Sequence, residues 1–346
     1  MGEPHPPRRP TLDPASGSVR NAVRAGVAEA RSVESDAAGS DSDAVPGVIV
    51  AVSGGADSMA LLHAVAFLHR RGEVRAQAVT VDHGLQTGSA EVARRVVATA
   101  ESWGMPAEIR TVTITAGEEG LEAAARDARY AALEEARNTA GADWILTAHT
   151  RSDQAETVLL GLMRGSGTRS LAGMSPRTGR VLRPLLGLDR AQTESACSAQ
   201  GIEVWNDPMN DDTSFARVRA RRLLAGLEND LGQPIIANLA RTADLCRADA
   251  DFLDAHAQET GAAFLRVASV PVGAFTTLDD AVLGRVIRDW LLSLGVPAQN
   301  LGAARVAELM TLIRSRRRGR LSLPGDTEVV IDRGQVVFQA AARPRR

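Results

Sequence analysis

Between residues 48 and 163, short apolar runs alternate four times with longer stretches of helical periodicity. Residues 48–52 (VIVAV), 76–81, 109–114 and 144–147 are the strand candidates, and 59–71, 91–103, 121–139 and 154–163 the helix candidates. The first run is apolar at every position, as a parallel strand covered on both faces requires. Strands separated by helices imply an α/β fold built on a doubly wound parallel sheet. Ligands of such sheets lie beyond the carboxyl ends of the strands, so the loops after the four runs are where chemistry is expected.

After about residue 231 the pattern changes. Residues 235–264 read as helical throughout, and two further helices are marked by Leu283, Val286, Ile287, Trp290, Leu291 and Leu294, then by Val306, Leu309, Met310 and Ile313. The stretch LSLPGDTEVVIDRGQVVF has turn residues at Pro324-Gly325 and Asp332-Arg333-Gly334, which predicts a small hairpin or meander. Upstream, residues 1–14 read as disordered. Val19, Val23 and Val27 predict a short helix over 19–32, and 35–43 (SDAAGSDSD) reads as a flexible linker. The expected division is a flexible extension over 1–45, an α/β domain over 46–231, and a smaller, mainly helical domain over 232–346.

Composition excludes several chemistries. All 40 basic residues are arginine; there is no lysine. A Walker A loop and a protein kinase both need a lysine at the phosphates, so neither fits, and any lysine in the reaction must come from outside. The two cysteines, Cys197 and Cys246, form no CxxC, which argues against a disulfide framework or a cysteine-held metal or cluster. No apolar run approaches the roughly 18 residues of a membrane span, and no leader pattern opens the chain, so a cytoplasmic location is expected. The net charge of −2 hides an asymmetry: residues 301–346 hold ten arginines against Glu308, Asp326, Glu328 and Asp332, a net of +6. Arg314, Arg316, Arg317, Arg318 and Arg320 are either a solvated face or a grip on a polyanion.

The strongest motif is SGGADS, formed by Ser53, Gly54, Gly55, Ala56, Asp57 and Ser58, directly after the first strand candidate. Two glycines let backbone amides approach an anion, two serines add donors, and the following helix start adds partial positive charge. Asp57 stands where it could hold Mg²⁺ against phosphates. The plain alternative is a glycine turn before a helix. The string resembles the phosphate loop of PP-loop ATP pyrophosphatases, which cleave ATP between its α- and β-phosphates and attach AMP to a substrate oxygen without a loop lysine.

Further strings narrow the resemblance. Asp82-His83-Gly84-Leu85 follows the second strand candidate; read alone, His83 is also an ordinary turn histidine. It is similar to a family DHGLR, with Gln86 in place of the arginine. EAAARDARY, from Glu122 to Tyr130, carries Arg126 and Arg129 three apart on a helix, suited to ATP or RNA phosphates or simply to water. HTRSDQAETVLLGLMRGSGTRSLAGM, from His149 to Met174, resembles the lysidine synthase string H-x-x-D-Q-x-E-T…R-G-x-G…L-x-G-M, with one extra residue before Asp153. Asp153 and Glu156 are three apart at a helix start, where Asp153 also reads as a capping residue. Arg164 stands in a flexible basic loop with Gly165 and Gly167. WNDPMNDDTSFARVRARR, from Trp205 to Arg222, matches the family at Asp207, Asn210, Asp212, Phe215, Arg217 and Arg221. It departs at Asn206, Met209, Val218 and Ala220.

The resemblance implies an ATP- and Mg²⁺-dependent ligase that converts the wobble cytidine of tRNA(Ile) with a CAU anticodon to lysidine, using free L-lysine. It implies that Ser53, Gly54, Gly55, Ala56, Asp57, Ser58, Asp82 and His83 bind ATP. Asp57 and Asp153 hold metal or move protons, and Arg129 and His149 join them in catalysis. Arg126, Glu156, Arg164, Asp207, Asn210, Arg217 and Arg221 meet substrate, and the C-terminal domain holds tRNA. The nearest alternative is a PP-loop 2-thiocytidine synthetase, whose cysteine-bound cluster this chain cannot supply from a cysteine pair. From another class, the chain could be a non-catalytic ATP-binding regulator.

Overall fold

The computed structural model describes residues 13–38, 44–84, 88–114, 121–165, 167–207, 212–298 and 301–340. Contacts divide the chain into two compact units, Met1–Asp244 and Leu245–Arg346.

The first unit opens with helix α1 (Pro14–Ala38), longer than the expected 19–32. Residues 35–38, read from sequence as linker, belong to it; residues 39–43 of that reading lie outside the described residues. Strands and helices then alternate as β1 (Gly47–Ala51), α2 (Ala56–Arg70), β2 (Arg75–Asp82), α3 (Ser89–Ser102), β3 (Ala107–Thr111), α4 (Leu121–Ala140), β4 (Trp144–Leu146), α5 (Arg151–Met163) and α6 (Thr168–Leu171). A short hairpin of β5 (Arg177–Thr178) and β6 (Val181–Leu182) leads to α7 (Arg190–Ala199) and α8 (Ala216–Leu231). The sheet order is β3-β2-β1-β4-β6-β5. All pairings are parallel except β5 with β6.

Alternation along β1 explains its unbroken apolar run. Val48 and Val50 enter a core with α1, α2, α3 and α7, whereas Ile49 enters a second core with Val79, Ile145 and Leu133 of α4. Helices thus cover both faces, as expected of a doubly wound sheet. The chain runs from β1 outward through β2 to β3, then returns to place β4 on the other side of β1. That reversal opens a crevice above the carboxyl ends of β1 and β4, the usual ligand position in this architecture.

Helix α9 (Ile235–Gly261) spans the division between the units. The second unit continues with β7 (Ser269–Pro271), α10 (Val272–Thr276), α11 (Asp280–Ser293), α12 (Ala303–Ser315), β8 (Gly319–Leu323), β9 (Thr327–Asp332) and β10 (Gln335–Ala340). The sheet is antiparallel, in the order β7-β10-β9-β8. The expected meander is therefore widened by one strand, β7, which lies more than 60 residues upstream of its partner β10. Phe275, Trp290, Leu283, Ile287, Leu309, Ile313 and Val329 fill this core. Trp290 stacks edge-on against Phe275 at 5.5 Å and donates Nε1–H to Val267 O at 2.8 Å. Among the described residues, no helix is long and apolar enough to cross a membrane.

Candidate active site

The phosphate loop lies between β1 and α2, with Gly55 as the N-cap. Gly54 has φ 88°, and a Cβ there would stand 3.0 Å from Val92 Cγ1, so both conformation and space demand glycine. Ser58 Oγ donates to Gly55 O at 2.9 Å and accepts from Ser53 N at 3.2 Å, tying the loop to the first helical turn. The Ser53 side chain is exposed above that turn, whose free amides and dipole favour an anion. Trp205 N donates to Gly54 O at 2.9 Å, so the segment after α7 is laid over the loop.

Asp57, in the first turn of α2, is gripped from α7. Thr193 donates its hydroxyl to Asp57 Oδ1, and Arg190 Nη2 lies 3.5 Å from Oδ2. Burial pushes the Asp57 carboxyl above the usual carboxylate range, against the pull of Thr193 and Arg190; the charge of Asp153 adds to the rise.

At the end of β2, Asp82 Oδ1 accepts Gly84 N at 2.9 Å and Ser89 Oγ at 2.7 Å. These two bonds hold its carboxyl low and fix the turn that presents His83. His83 Nδ1 is buried and has no hydrogen-bond partner among the described residues. Burial and the Arg129 charge lower its pKa, against the pull of Asp82.

At the end of β4, His149 Nδ1 shares a 3.0 Å hydrogen bond with Thr147 Oγ1. Burial pulls its pKa to about 4, helped by Arg183, Arg129 and Arg217 and opposed by Asp153. Thr150 caps α5, and Asp153 Oδ2 accepts both Thr150 N at 2.8 Å and Thr150 Oγ1 at 3.1 Å. Asp153 is thus half of a capping box, yet both bonds fall on one oxygen, and Oδ1 has no hydrogen bond among the described residues. Glu156, one turn on, is 1% exposed. Its Oε1 accepts Arg221 Nε at 2.7 Å, whereas Oε2 is buried without a hydrogen-bond partner among the described residues. Burial raises this carboxyl, Arg221 opposes the rise, and Asp153 adds to it.

The arginines come from α4 and α8. Arg126 and Arg129 stand 5.4 and 5.6 Å from the Tyr130 ring. Arg129 is half-buried and repelled by Arg126 and Arg217, and desolvation with that repulsion lowers its pKa. The structure therefore brings Asp57, Asp153, Glu156, Arg217 and Arg221 into one electrostatic neighbourhood, with His83, Arg126, Arg129 and His149 linked to it through the same arginines. Arg164 caps the far end of α5 and is exposed. Asp207 is half-buried. Asn210 lies outside the described residues. Sequence reasoning missed Thr193 and Arg190, because RAQTESACSA carries no motif and only the fold brings it to Asp57.

Among the described residues no group of three or more His, Cys, Asp or Glu converges as a metal cage. A nucleotide-bound Mg²⁺ needs no such cage, since one or two carboxylates, phosphates and waters complete its shell. Asp57 and Asp153, near enough that the Asp153 charge helps raise the Asp57 carboxyl, fit that requirement.

The PP-loop domain family matches residues 31–227, and the TilS substrate binding domain family matches residues 271–337. The tRNA(Ile)-lysidine synthase of Streptomyces coelicolor is 46% identical over 302 residues, covering 85% of each chain. That of Thermobifida fusca is 46% identical over 298 residues, covering 85% of this chain and 91% of the other. Among solved structures, the U34-tRNA thiolase NcsA from Methanococcus maripaludis superposes with a TM-score of 0.50 at 15% identity, over 67% of this chain and 78% of that one. At that identity the likeness speaks for the shared fold alone.

Proposed function

Because this chain belongs to the tRNA(Ile)-lysidine synthase family, we propose that it joins L-lysine to C2 of the wobble cytidine in tRNA(Ile) with a CAU anticodon. In the first step the cytidine O2 attacks the α-phosphorus of ATP, and pyrophosphate leaves. In the second an amine of free lysine attacks C2, and AMP leaves with the O2 oxygen. A chain without lysine uses that amine only as substrate.

The loop from Ser53 to Ser58 takes the ATP phosphates on its amides and hydroxyls. Asp57 and Asp153 would hold Mg²⁺, which supplies charge neutralisation for the departing pyrophosphate. Arg129, half-buried and without a carboxylate partner in any hydrogen bond or ion pair among the described residues, would meet charge developing on the transferred phosphoryl group. Glu156 presents a buried Oε2 with no hydrogen-bond partner among the described residues, which suits the ammonium group of lysine. His149 is neutral, and in the tautomer whose Nδ1–H donates to Thr147 Oγ1 its Nε2 would accept the proton released when the amine adds to C2. Residues 46–231 form the ATP-using part in this reading, residues 232–346 hold tRNA, and the protein works in the cytoplasm.

The observation that carries the proposal is the convergence of the phosphate loop, Asp153, Glu156 and the arginines of α4 and α8 at the crevice between β1 and β4. Incubation with tRNA(Ile), ATP, Mg²⁺ and radiolabelled lysine should place label in RNA, while labelled sulfur should not enter. Binding of ATP without pyrophosphate release in the complete mixture would instead identify a non-catalytic nucleotide binder.

A further inference from the structure

Helix α7 reaches Asp57 with two side chains that no phosphate-loop motif contains. Thr193, 0% exposed, bonds Oδ1, and Arg190 stands 3.5 Å from Oδ2. The first turn of α7 is itself pinned. Gln192 Oε1 accepts Asp189 N at 2.9 Å, and both Asp189 carboxylate oxygens lie 2.9 Å from Arg151 Nη1. Arg151 N also donates to Leu188 O at 2.9 Å. Arg151 opens α5, and Asp153 follows two residues later on the same helix. A continuous set of bonds therefore runs from Asp57 through Thr193 and the start of α7 to Arg151, and so to the turn that holds Asp153.

We propose that the first turn of α7 is a positioning element that sets Asp57 relative to Asp153 for the metal–nucleotide complex. Thr193 fixes Oδ1 and so removes the rotational freedom of the carboxylate before a cation arrives, which lowers the entropy lost on binding. Arg190 is an exchangeable cation on Oδ2. It has a second partner within reach, since its Nε lies 3.7 Å from Glu194 Oε1, one turn along α7. A cation held by Asp57 would displace the guanidinium, for which Glu194 stands within reach. The buttress is broad: α1 packs on both α2 and α7, and Gln200 Nε2 donates to Ser16 Oγ at 3.3 Å, so the two helices that meet at Asp57 share one support.

This inference rests on the reading of Asp57 and Asp153 as the metal-holding pair, and calorimetry on the full chain without tRNA or lysine separates the two. Thr193→Val keeps the shape and loses the hydroxyl. It should raise the Kd for Mg·ATP about tenfold, as expected for one lost hydrogen bond to a charged group. Thr193→Ser should stay within about twofold of the wild type, since the bond survives. Arg190→Gln should tighten the binding of Mn²⁺ alone by about threefold, because a competing surface cation is gone. Thermal melts of each variant control for folding. Wild-type protein that fails to bind Mg·ATP defeats the functional reading. Wild-type binding matched by Thr193→Val, equal losses in the Ser and Val variants, or weaker Mn²⁺ binding by Arg190→Gln overturns the role of α7 alone.

Discussion

Gln154 turns both ends of its side-chain amide onto the backbone of Met174: Nε2 donates to Met174 O at 3.0 Å, and Oε1 accepts from Met174 N at 2.7 Å. The turn it grips contains Gly173 at φ 59°, where an added Cβ would stand 2.5 Å from Gln154 Oε1. The glutamine of the DQxE string and the glycine of the LxGM string are therefore two halves of one clamp. It holds the segment after α6 against the helix that carries Asp153 and Glu156.

Gly173→Ala breaks that clamp twice, through a left-handed backbone and through loss of the space Gln154 needs. The backbone term is about 1–2 kcal/mol, and the disturbed hydrogen bonds add about 1–2 kcal/mol. The melting temperature should fall by roughly 5–12 °C for a unit of this size. A drop of less than about 2 °C would show that the turn relaxes freely.

Asp57→Asn tests the charge at the phosphate loop separately from its shape. The amide oxygen still accepts from Thr193, but nothing remains to balance a cation at Oδ2. Pyrophosphate release should fall by roughly 1,000-fold, about 4 kcal/mol of barrier. A variant that keeps most of its activity at unchanged Mg²⁺ concentration removes Asp57 from the metal-holding pair.

His63 gives a pH dependence remote from the chemistry. It packs edge-on against Trp103 at 5.0 Å, and burial, with Arg20 and Arg70, lowers its pKa from 6.5 to about 4. Below 6.5 the unfolded chain takes up this proton and the folded chain does not, so stability is lost as pH falls from 6.5 towards 4. His149 contributes with the same sign. His63→Phe keeps an aromatic ring and removes one proton site. Its melting temperature relative to the wild type should rise progressively between pH 7 and pH 4.5, and an offset that stays constant with pH would contradict the assignment.

What the sequence displayed and what it concealed follow from the range of the interactions. β1 and β4 were legible because a strand buried on both faces must be apolar at each step. SGGADS was legible because a phosphate loop is a local device. Thr193 was not, because its partner Asp57 is 136 residues away and nothing in an ordinary amphipathic helix announces the pairing. β7 was hidden for a similar reason: three residues ending in Pro271 have strand character only when Val336 of β10 pairs with Val270. β5 and β6, two residues each, are too short for any periodicity to show.

The C-terminal arginines, alike in sequence, separate in the structure. Arg314 is committed to its own unit, with bonds to Asp280 Oδ1 at 2.7 Å, to Thr276 O at 2.7 Å and to Leu278 O. Arg316 Nη2 donates to Thr276 Oγ1 at 3.1 Å, and Arg318 pairs with Asp332 at 2.8 Å. Arg317 and Arg320 are exposed, and their side chains make no hydrogen bond or ion pair among the described residues. The cluster is therefore not one uniform grip. Arg314→Gln should lower the melting temperature and affect RNA binding only through that loss. Replacing Arg317 and Arg320 with Gln should leave the melt unchanged and weaken tRNA binding. If each arginine neutralises one phosphate, the slope of log K against log salt should flatten by about 1.5. ATP affinity should not change, since the phosphate loop belongs to the other unit. An unchanged slope would assign Arg317 and Arg320 to solvent and move the RNA contacts to Arg164, Arg217 and Arg221.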